Sequence, residues 1–293
     1  MVSLEIDSEV LAGPGIVRNA FGEFRYNLLN RTSRSQLARI DQLSSKSTAI
    51  CHIKLKSPTV LQCLPREDSI SLALKPMQAT GLGPFACGKE SLLGLSAVNH
   101  QAPLWAAELA GTEIYCVSVR RSLLAKHAYD IVDTSVLEKM QFLTLDQDRS
   151  EMLLKKVKQL IRTTDSTQAL DIRLTHLLLS ICEIASHALP TPHQSTTEVL
   201  WATLRDTPPR LLTSELLQDS CQISESQLNH LFKRTTGLST RQFIGSYRLN
   251  SVRQALWGEQ ESFSNCVQSF GYQSPDQLYR AYRRLFAEEP PLN

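Results

Sequence analysis

The sequence predicts an α+β protein in which an antiparallel β part is followed by an all-α part. Three observations support this fold class. In the first 120 residues, apolar side chains alternate with polar ones in several short runs, and from residue 121 they recur at helical spacing. The C-terminal hundred residues contain an internal repeat with an offset of 50 residues. The chain of 293 residues, 42% hydrophobic and 20% charged, is also long enough for two domains that each bury a core.

Composition argues against several classes of protein. The formal net charge is +2, from 31 Lys and Arg against 29 Asp and Glu, so overall charge neither requires nor excludes a nucleic-acid partner. The seven cysteines are scattered and lack a Cys-x-x-Cys pair, which is typical of reduced thiols rather than of disulfides or a zinc site. The sequence shows no signal peptide and no apolar run of membrane-spanning length. These features predict a cytoplasmic protein with no membrane partner.

Alternating runs indicate strands in the β part, residues 1–120. In Thr48–Leu55, one face is apolar and the other is largely polar. The same alternation recurs in residues 69–75, 93–97 and 115–119, and turn residues separate the runs. Several short strands at this spacing predict a small antiparallel sandwich or barrel. Residues 36–43, by contrast, favour a short helix.

Two helical stripes follow in residues 121–189. Leu153, Val157 and Leu160 lie on one helix face, and a second apolar stripe runs from residue 170 to residue 185. Such helices either pack against the β part or form the seam of a homodimer, and the sequence leaves both open. Two prolines in residues 190–195 end the helical pattern and predict a linker. Residues 196–293 then form a separate domain.

The internal repeat lies in this last domain. Residues 224–234 align without a gap on residues 274–284, with Ser, Gln and Leu at matching positions. Both copies begin as helices should, because Ser224 and Ser274 are favoured N-cap residues and proline follows the second serine. A short helix and a tight turn precede each copy. The sequence therefore predicts two helix-turn-helix units, at residues 213–235 and 262–286.

The segment between the two copies sets their separation. Residues 240–257 are predicted to form one helix, which at 1.5 Å per residue spans about 27 Å. One turn of DNA is about 34 Å, so two recognition helices held this far apart can enter successive major grooves on one face. The predicted partner is double-stranded DNA, read over a full turn by a single chain.

Residue types on the exposed sides of the two second helices fit base recognition. Arg280 matches the bidentate geometry of guanine, and Asn229 matches adenine. The predicted base-reading residues are Ser226, Asn229, His230, Lys233, Asp276, Gln277, Tyr279, Arg280 and Arg283. The predicted phosphate contacts are Arg234, Arg241 and Arg284.

Charge within residues 196–293 is balanced but segregated. The segment holds 10 Lys and Arg against 10 Asp and Glu, and its acids gather at Glu259, Glu261, Glu288 and Glu289. We therefore expect weak non-specific binding to DNA and a modest dependence on salt.

At these residues the chain resembles the AraC/XylS family of bacterial transcription regulators. The first matching segment is Leu228-x-x-Leu231-Phe232-Lys233, followed by Gly237-x-Ser239 and by Arg248-Leu249 in the connecting helix. The second is Phe270-Gly271-Tyr272-x-Ser274-Pro275-x-x-Leu278-Tyr279-Arg280-x-Tyr282-Arg283. The resemblance covers about 100 residues.

The chain departs from the family pattern at five positions. His230 stands where the family usually has Arg, Gln218 and Val267 where it has a small Ala, Thr240 where it has Pro, and Ala287 where it has Gly. The change at His230 bears on the strength or sequence choice of the first unit, not on the fold.

The resemblance implies a sequence-specific DNA-binding regulator and no enzyme. Members of the family are usually activators that recruit RNA polymerase near a promoter. Their N-terminal cupin-like domain usually senses a small molecule or mediates dimerisation. For this chain the resemblance therefore implies a cupin-like β domain with trailing helices, followed by a tandem helix-turn-helix domain.

Two alternatives remain open. The chain could be a regulator without a ligand, controlled by its abundance or by a protein partner. It could also be a cupin-type enzyme fused to a DNA reader, but a metal cupin needs His-x-His with a nearby Glu, and the seven histidines never have that spacing.

The sequence of residues 83–90 is similar to a phosphate-binding loop, but glutamate stands where that loop has the Mg²⁺-binding hydroxyl. We therefore expect no metal and no cofactor.

The sequence of the β part contains only general signals for an effector pocket. Polar and aromatic side chains in predicted strands and in one loop suit a small-molecule site. The candidate effector-binding residues are His52, Asn99, His100, Trp105 and Tyr115.

Overall fold

The computed structural model describes residues 2–6, 16–29, 38–56, 59–76, 93–98, 104–108, 111–127, 143–162, 167–186 and 196–291. The strands are β1 (Val2–Ile6), β2 (Ile16–Asn19), β3 (Gly22–Leu28), β4 (Ala38–Ser44), β5 (Thr48–Leu55), β6 (Thr59–Pro65), β7 (Ser69–Pro76), β8 (Leu93–Val98), β9 (Leu104–Glu108), β10 (Glu113–Arg120) and β11 (Leu143–Thr144). The helices are α1 (Arg121–His127), α2 (Gln147–Arg162), α3 (Thr167–Ser186), α4 (Thr196–Asp206), α5 (Ser214–Cys221), α6 (Glu225–Thr236), α7 (Thr240–Gly258), α8 (Phe263–Ser269) and α9 (Pro275–Phe286), with a 3-10 turn at Pro209–Leu211.

The strands form two antiparallel sheets packed face to face. The larger has the order β1-β4-β5-β10-β7-β8-β11, and the smaller has the order β2-β3-β6-β9. Their inward faces share one core, to which the larger sheet contributes Cys51 and Cys116 and the smaller sheet contributes Phe24, Tyr26 and Cys63. The predicted fold class, an antiparallel β part followed by an all-α part, is confirmed.

The helix predicted for residues 36–43 is wrong. From Ala38 onward this segment is strand β4, which pairs with β1 on one side and β5 on the other. Ala38 and Ile40 point into the shared core and are almost fully buried. Because pairing with two neighbouring strands satisfies the backbone, this context overrides the ambiguous local pattern.

Both apolar helical stripes pack inside the chain. Leu153 and Val157 of α2 and Leu174 and Leu178 of α3 join the outer face of the larger sheet in one core. This arrangement accounts for the apolar periodicity by packing against the β part. The predicted linker at residues 190–195 and the loop at residues 83–90 lie outside the described residues.

The C-terminal helices build two cores that share α7. The N-terminal half of α7 contributes Phe243 and Tyr247 to the core around α5 and α6. Its C-terminal half contributes Val252 and Leu256 to the core around α8 and α9. One continuous helix thus connects the two units and packs in the core of each. Within the described residues, no helix is long and apolar enough to cross a membrane.

Candidate DNA-binding surface

The first helix-turn-helix unit consists of α5, a short turn and α6. The Thr213 hydroxyl caps α5 by accepting a hydrogen bond from the backbone N–H of Leu216 at 3.1 Å. Gln222, with a φ of 53°, ends α5 in the left-handed conformation. Ser224 and Gln227 then form a reciprocal capping box at the start of α6. Local sequence chemistry therefore fixes both ends of the turn.

The second unit repeats this arrangement with α8 and α9. Ser262 caps α8, and Gly271, with a φ of 74°, supplies the left-handed residue in the turn. Ser274 caps α9, and Pro275 occupies its first position. The two serines of the sequence repeat are both N-caps, as the sequence predicts.

Most of the predicted DNA contacts lie on exposed sides of α6 and α9. The exposed base-reading candidates are Ser226, His230, Lys233, Asp276, Gln277, Arg280 and Arg283. Asn229 and Tyr279 are half-buried, and the phosphate candidates Arg234, Arg241 and Arg284 are exposed. The inward sides of the same helices are apolar, with Leu228 and Phe232 in α6 and Leu278 and Tyr282 in α9 fully buried.

Helix α7 holds the two units apart. Its 19 residues correspond to a length of about 28 Å. Arg248 fastens α7 to the first unit, because its guanidinium donates to the carbonyl oxygens of Pro209 and Leu212, each at 3.1 Å.

Asn229 has a second use in the structure. Its Oδ1 accepts a hydrogen bond from the backbone N–H of Thr240, the first residue of α7, at 3.2 Å. A proline at position 240, which the related family usually has, would have no N–H to donate. Thr240, which differs from the family pattern, therefore holds the side-chain amide of Asn229 against the start of α7.

A groove of about 630 Å³ lies beside the first unit. The first residues of α5, α6 and α7 line it, together with Arg241 and Arg248. Helix N-termini carry partial positive charge and unsatisfied N–H groups, which suit a phosphate, whereas Glu215 and Glu225 on the same groove oppose one. The sequence predicts Arg241 as a phosphate contact, but not that three helix N-termini converge beside it. The N-cap residues are the sequence signal for these helix ends.

Two residues outside the predicted set make contacts on α7 and α9. Glu289 lies against Tyr279 and Arg283 on α9. Asn250 on α7 joins that helix to strand β3. Ser246, Asn250 and Gln254 recur every four residues and so lie on one side of α7, but this spacing alone does not identify their partner.

Of the predicted effector residues, His52 and Tyr115 come together. Their rings stack with centroids 4.5 Å apart on neighbouring strands. The Tyr115 hydroxyl donates to Glu113 at 3.1 Å, and His52 Nε2 lies 3.4 Å from the same carboxylate. Burial lowers the pKa of His52, and Glu113 opposes this shift. Tyr115 packs in the core beneath α2 and α3, so this pair lies on the outer face of the larger sheet and not inside the sandwich.

The other effector candidates are not part of that cluster. Trp105 belongs to β9 in the smaller sheet. Asn99 and His100 lie outside the described residues. Among the described residues, no group of three or more His, Cys, Asp or Glu side chains could hold a metal ion.

Comparisons with known proteins bear mainly on the C-terminal domain. Residues 217–291 match a family model described as a helix-turn-helix domain. This match confirms the resemblance to AraC-type helix-turn-helix proteins in that segment. No curated protein matches the chain significantly.

Solved structures give only distant matches. The AraC-like transcriptional activator CuxR matches with a TM-score of 0.41 at 12% identity, over 84% of this chain and 91% of that one. ToxT from Vibrio cholerae matches with a TM-score of 0.31 at 12% identity, over 91% and 95%. ToxT with a bound unsaturated fatty acid matches with a TM-score of 0.31 at 13% identity, over 85% and 95%. Because all three TM-scores are below 0.5, the inferences below rest on this chain's own residues.

Proposed function

We propose that this chain, in which residues 217–291 form an AraC-type helix-turn-helix domain, is a sequence-specific DNA-binding transcription regulator. One observation carries the proposal. Two capped recognition helices, α6 and α9, present polar and basic sides to solvent and are separated by the single helix α7. A charged surface that only contacts solvent would not require two capped helices held apart by a third.

In this proposal α6 and α9 enter successive major grooves on one face of the duplex. His230 and Lys233 in the first unit and Arg280 in the second are exposed and chemically suited to base edges. Arg234, Arg241 and Arg284 are exposed and contact phosphates, which position the helices without reading sequence. The regulator acts as an activator that brings RNA polymerase to a promoter.

We further propose that residues 1–120 regulate residues 196–293 through α7. The polar stripe of α7, defined as Ser246, Asn250 and Gln254, lies along β3 and the residue that follows it. The Ser246 hydroxyl donates to the carbonyl oxygen of Leu29 at 2.8 Å, and Gln254 Nε2 donates to Asn27 Oδ1 at 2.8 Å.

Asn250 occupies the centre of this contact. Its Oδ1 accepts from the backbone N–H of Leu28 at 2.9 Å, and its Nδ2 donates to the carbonyl oxygen of Leu28 at 2.6 Å. Asn250 is only 3% exposed. The helix that sets the separation of the two recognition helices is thus hydrogen-bonded directly to the β part.

Apolar contacts accompany these hydrogen bonds on both units. Leu29 and Val60 from the β part belong to the core of the first unit. Phe286 at the end of α9 packs against the sandwich core as well as that of the second unit. A small-molecule effector, a protein partner or a second copy that binds the β part more tightly in one arrangement of this junction would therefore change the pose of both recognition helices.

The decisive experiment is the selection of bound sequences from random duplex DNA by the full chain. We expect an enriched motif with two blocks about one helical turn, or 10 base pairs, apart. Arg280→Ala should relax one block, and His230→Ala should relax the other. Arg205→Ala is the matched control, because it removes an exposed arginine from α4, outside both units.

Each outcome has a defined meaning. Two blocks, each relaxed by one variant and neither by the control, would support recognition by both helices. A single block would assign base reading to one unit and phosphate contact to the other. Failure of the wild-type chain to enrich any sequence at low salt would overturn the proposed function.

A further inference from the structure

The chain reverses direction directly after the second recognition helix. Ala287 adopts the left-handed conformation, with φ 56° and ψ 25°, and its N–H bonds to the carbonyl oxygen of Arg283 at 2.9 Å. This turn brings the two following acids, Glu288 and Glu289, back alongside α9.

Glu288 anchors the turn in the interior. Its carboxylate lies 2.9 Å from the guanidinium of Arg253, whose side chain is only 4% exposed, and accepts from the Tyr282 hydroxyl at 2.9 Å. The Arg253 guanidinium also lies over the ring of Phe286, 4.5 Å from its centroid. Because these contacts are largely buried, they hold the segment after α9 in one position.

Glu289 faces the opposite way, onto the exposed side of α9. Its carboxylate accepts a hydrogen bond from the Tyr279 hydroxyl and forms an ion pair with Arg283, whose Nε lies 3.0 Å away. Tyr279 and Arg283 are four residues apart, so they are neighbours on one face of the helix. Both are base-reading candidates. The hydrogen bond to the Glu289 carboxylate raises the pKa of Tyr279.

We propose that Glu289 competes with DNA for Tyr279 and Arg283, and so restricts the second recognition helix to sequences whose acceptors replace its carboxylate. This inference rests on the proposed function. A carboxylate accepts from guanidinium and phenol in the same way as a guanine edge or a phosphate oxygen does. DNA can therefore use the Tyr279 hydroxyl and the Nε–H of Arg283 only after Glu289 has been displaced.

The competition affects different DNA sequences unequally. Every duplex brings phosphates toward α9, and Glu289 repels them all. When Glu289 is displaced, Arg283 loses its carboxylate partner. A base with acceptors in the correct register replaces that partner, whereas other bases leave the guanidinium incompletely paired. Glu289 therefore lowers the affinity for random DNA more than the affinity for the selected sequence.

The test compares Glu289→Gln with the wild-type chain on a selected sequence and on random duplex DNA. The variant should bind random DNA about fivefold more tightly at low salt, which is the upper end for breaking an exposed ion pair. It should bind the selected sequence at most about twofold more tightly, so the selectivity ratio falls. The gain should shrink as salt is raised, because the groups are exposed.

Two further variants separate this contact from general charge effects. Glu259→Gln removes the same charge from an exposed residue at the end of α7, and it should leave the selectivity ratio unchanged. In an Arg283→Ala background, Glu289→Gln should lose most of its effect, because its main partner is absent.

The inference fails if Glu289→Gln and Glu259→Gln change selectivity equally. It also fails if Glu289→Gln weakens binding to the selected sequence, since Glu289 would then position Arg283 for DNA instead of competing with it. Both failures require a wild-type chain that binds its selected sequence, so they are distinguishable from failure of the proposed function.

Discussion

Substitution of Asn250 by alanine tests the junction between α7 and the β part. Asn250 makes three hydrogen bonds: two with the backbone of Leu28, at 2.6 and 2.9 Å, and one to the carbonyl oxygen of Ser246 at 2.7 Å. Alanine removes all three. The N–H and the carbonyl of Leu28 would be left unpaired at a site where Asn250 itself is 3% exposed.

The magnitude follows from those two backbone groups. Leaving a buried donor or acceptor without a partner costs about 1–3 kcal/mol each. The free energy of unfolding should therefore fall by about 2–6 kcal/mol, because two such groups lose their partners. The free energies of unfolding of Asn250→Ala and of the wild-type chain are compared by urea denaturation, which is monitored by circular dichroism and tryptophan fluorescence.

Ser251→Ala is the matched control on the next residue of α7. Ser251 is half-buried, and its hydroxyl donates only within the helix, to the carbonyl oxygen of Tyr247 at 3.2 Å. The control should change the free energy of unfolding by no more than about 0.5 kcal/mol. If Asn250→Ala is as mild as this control, the junction contributes no stability and the coupling proposed through α7 loses its basis.

Three further predictions concern the C-terminal domain. Ala287→Gly should raise the free energy of unfolding by about 0.5 kcal/mol, because glycine accepts a φ of 56° without steric cost; a lower melting temperature would contradict this. Thr240→Pro should free Asn229 Oδ1 while keeping a residue suited to the first helical position, so the motif selected by the first unit should shift toward adenine. An unchanged motif would show that Asn229 does not read bases. Burial, reinforced by Glu261, raises the pKa of Cys266 from 9.0 to about 11, so its folded thiol stays neutral after the unfolded one has ionised. Its contribution to stability is therefore complete below pH 9 and is lost as the pH rises toward about 11. Unfolding measured at pH 8 and pH 10.5 should show a smaller loss in Cys266→Ala than in the wild-type chain.

The sequence predicts those features of the C-terminal domain that depend on neighbouring residues. A cap acts over three residues, so Ser224 and Ser274 identify the starts of α6 and α9 directly. Burial of Leu228 and Leu278 follows from the helical period in the same way.

Features that depend on distant residues are missed. The junction joins Leu28 to Asn250, which are 222 residues apart, and an asparagine within a helix carries no sign of such a partner. Strand β4 is mistaken for a helix because its pairing with β1 and β5 cannot be read from residues 36–43 alone.

The acid at Glu289 illustrates an intermediate case. The sequence shows a pair of acids after the last helix, and it shows Ala287 where the related family has glycine. Only the left-handed turn at Ala287 determines that one acid points inward, to Arg253, and the other onto α9.

The polar stripe of α7 has a consequence for how the two parts of the chain can separate. Its three members lie one helical turn apart, about 6 Å along the axis. If α7 slid along β3 by a single residue, all three side chains would lose their partners. If α7 tilted, the contacts of Ser246 and Gln254 at the ends of the stripe would break before the apolar groups separated. Intermediate poses therefore lose hydrogen bonds without gaining any. Docked and undocked molecules should form two distinct populations, and a signal acting on the junction would shift their ratio rather than produce a graded movement.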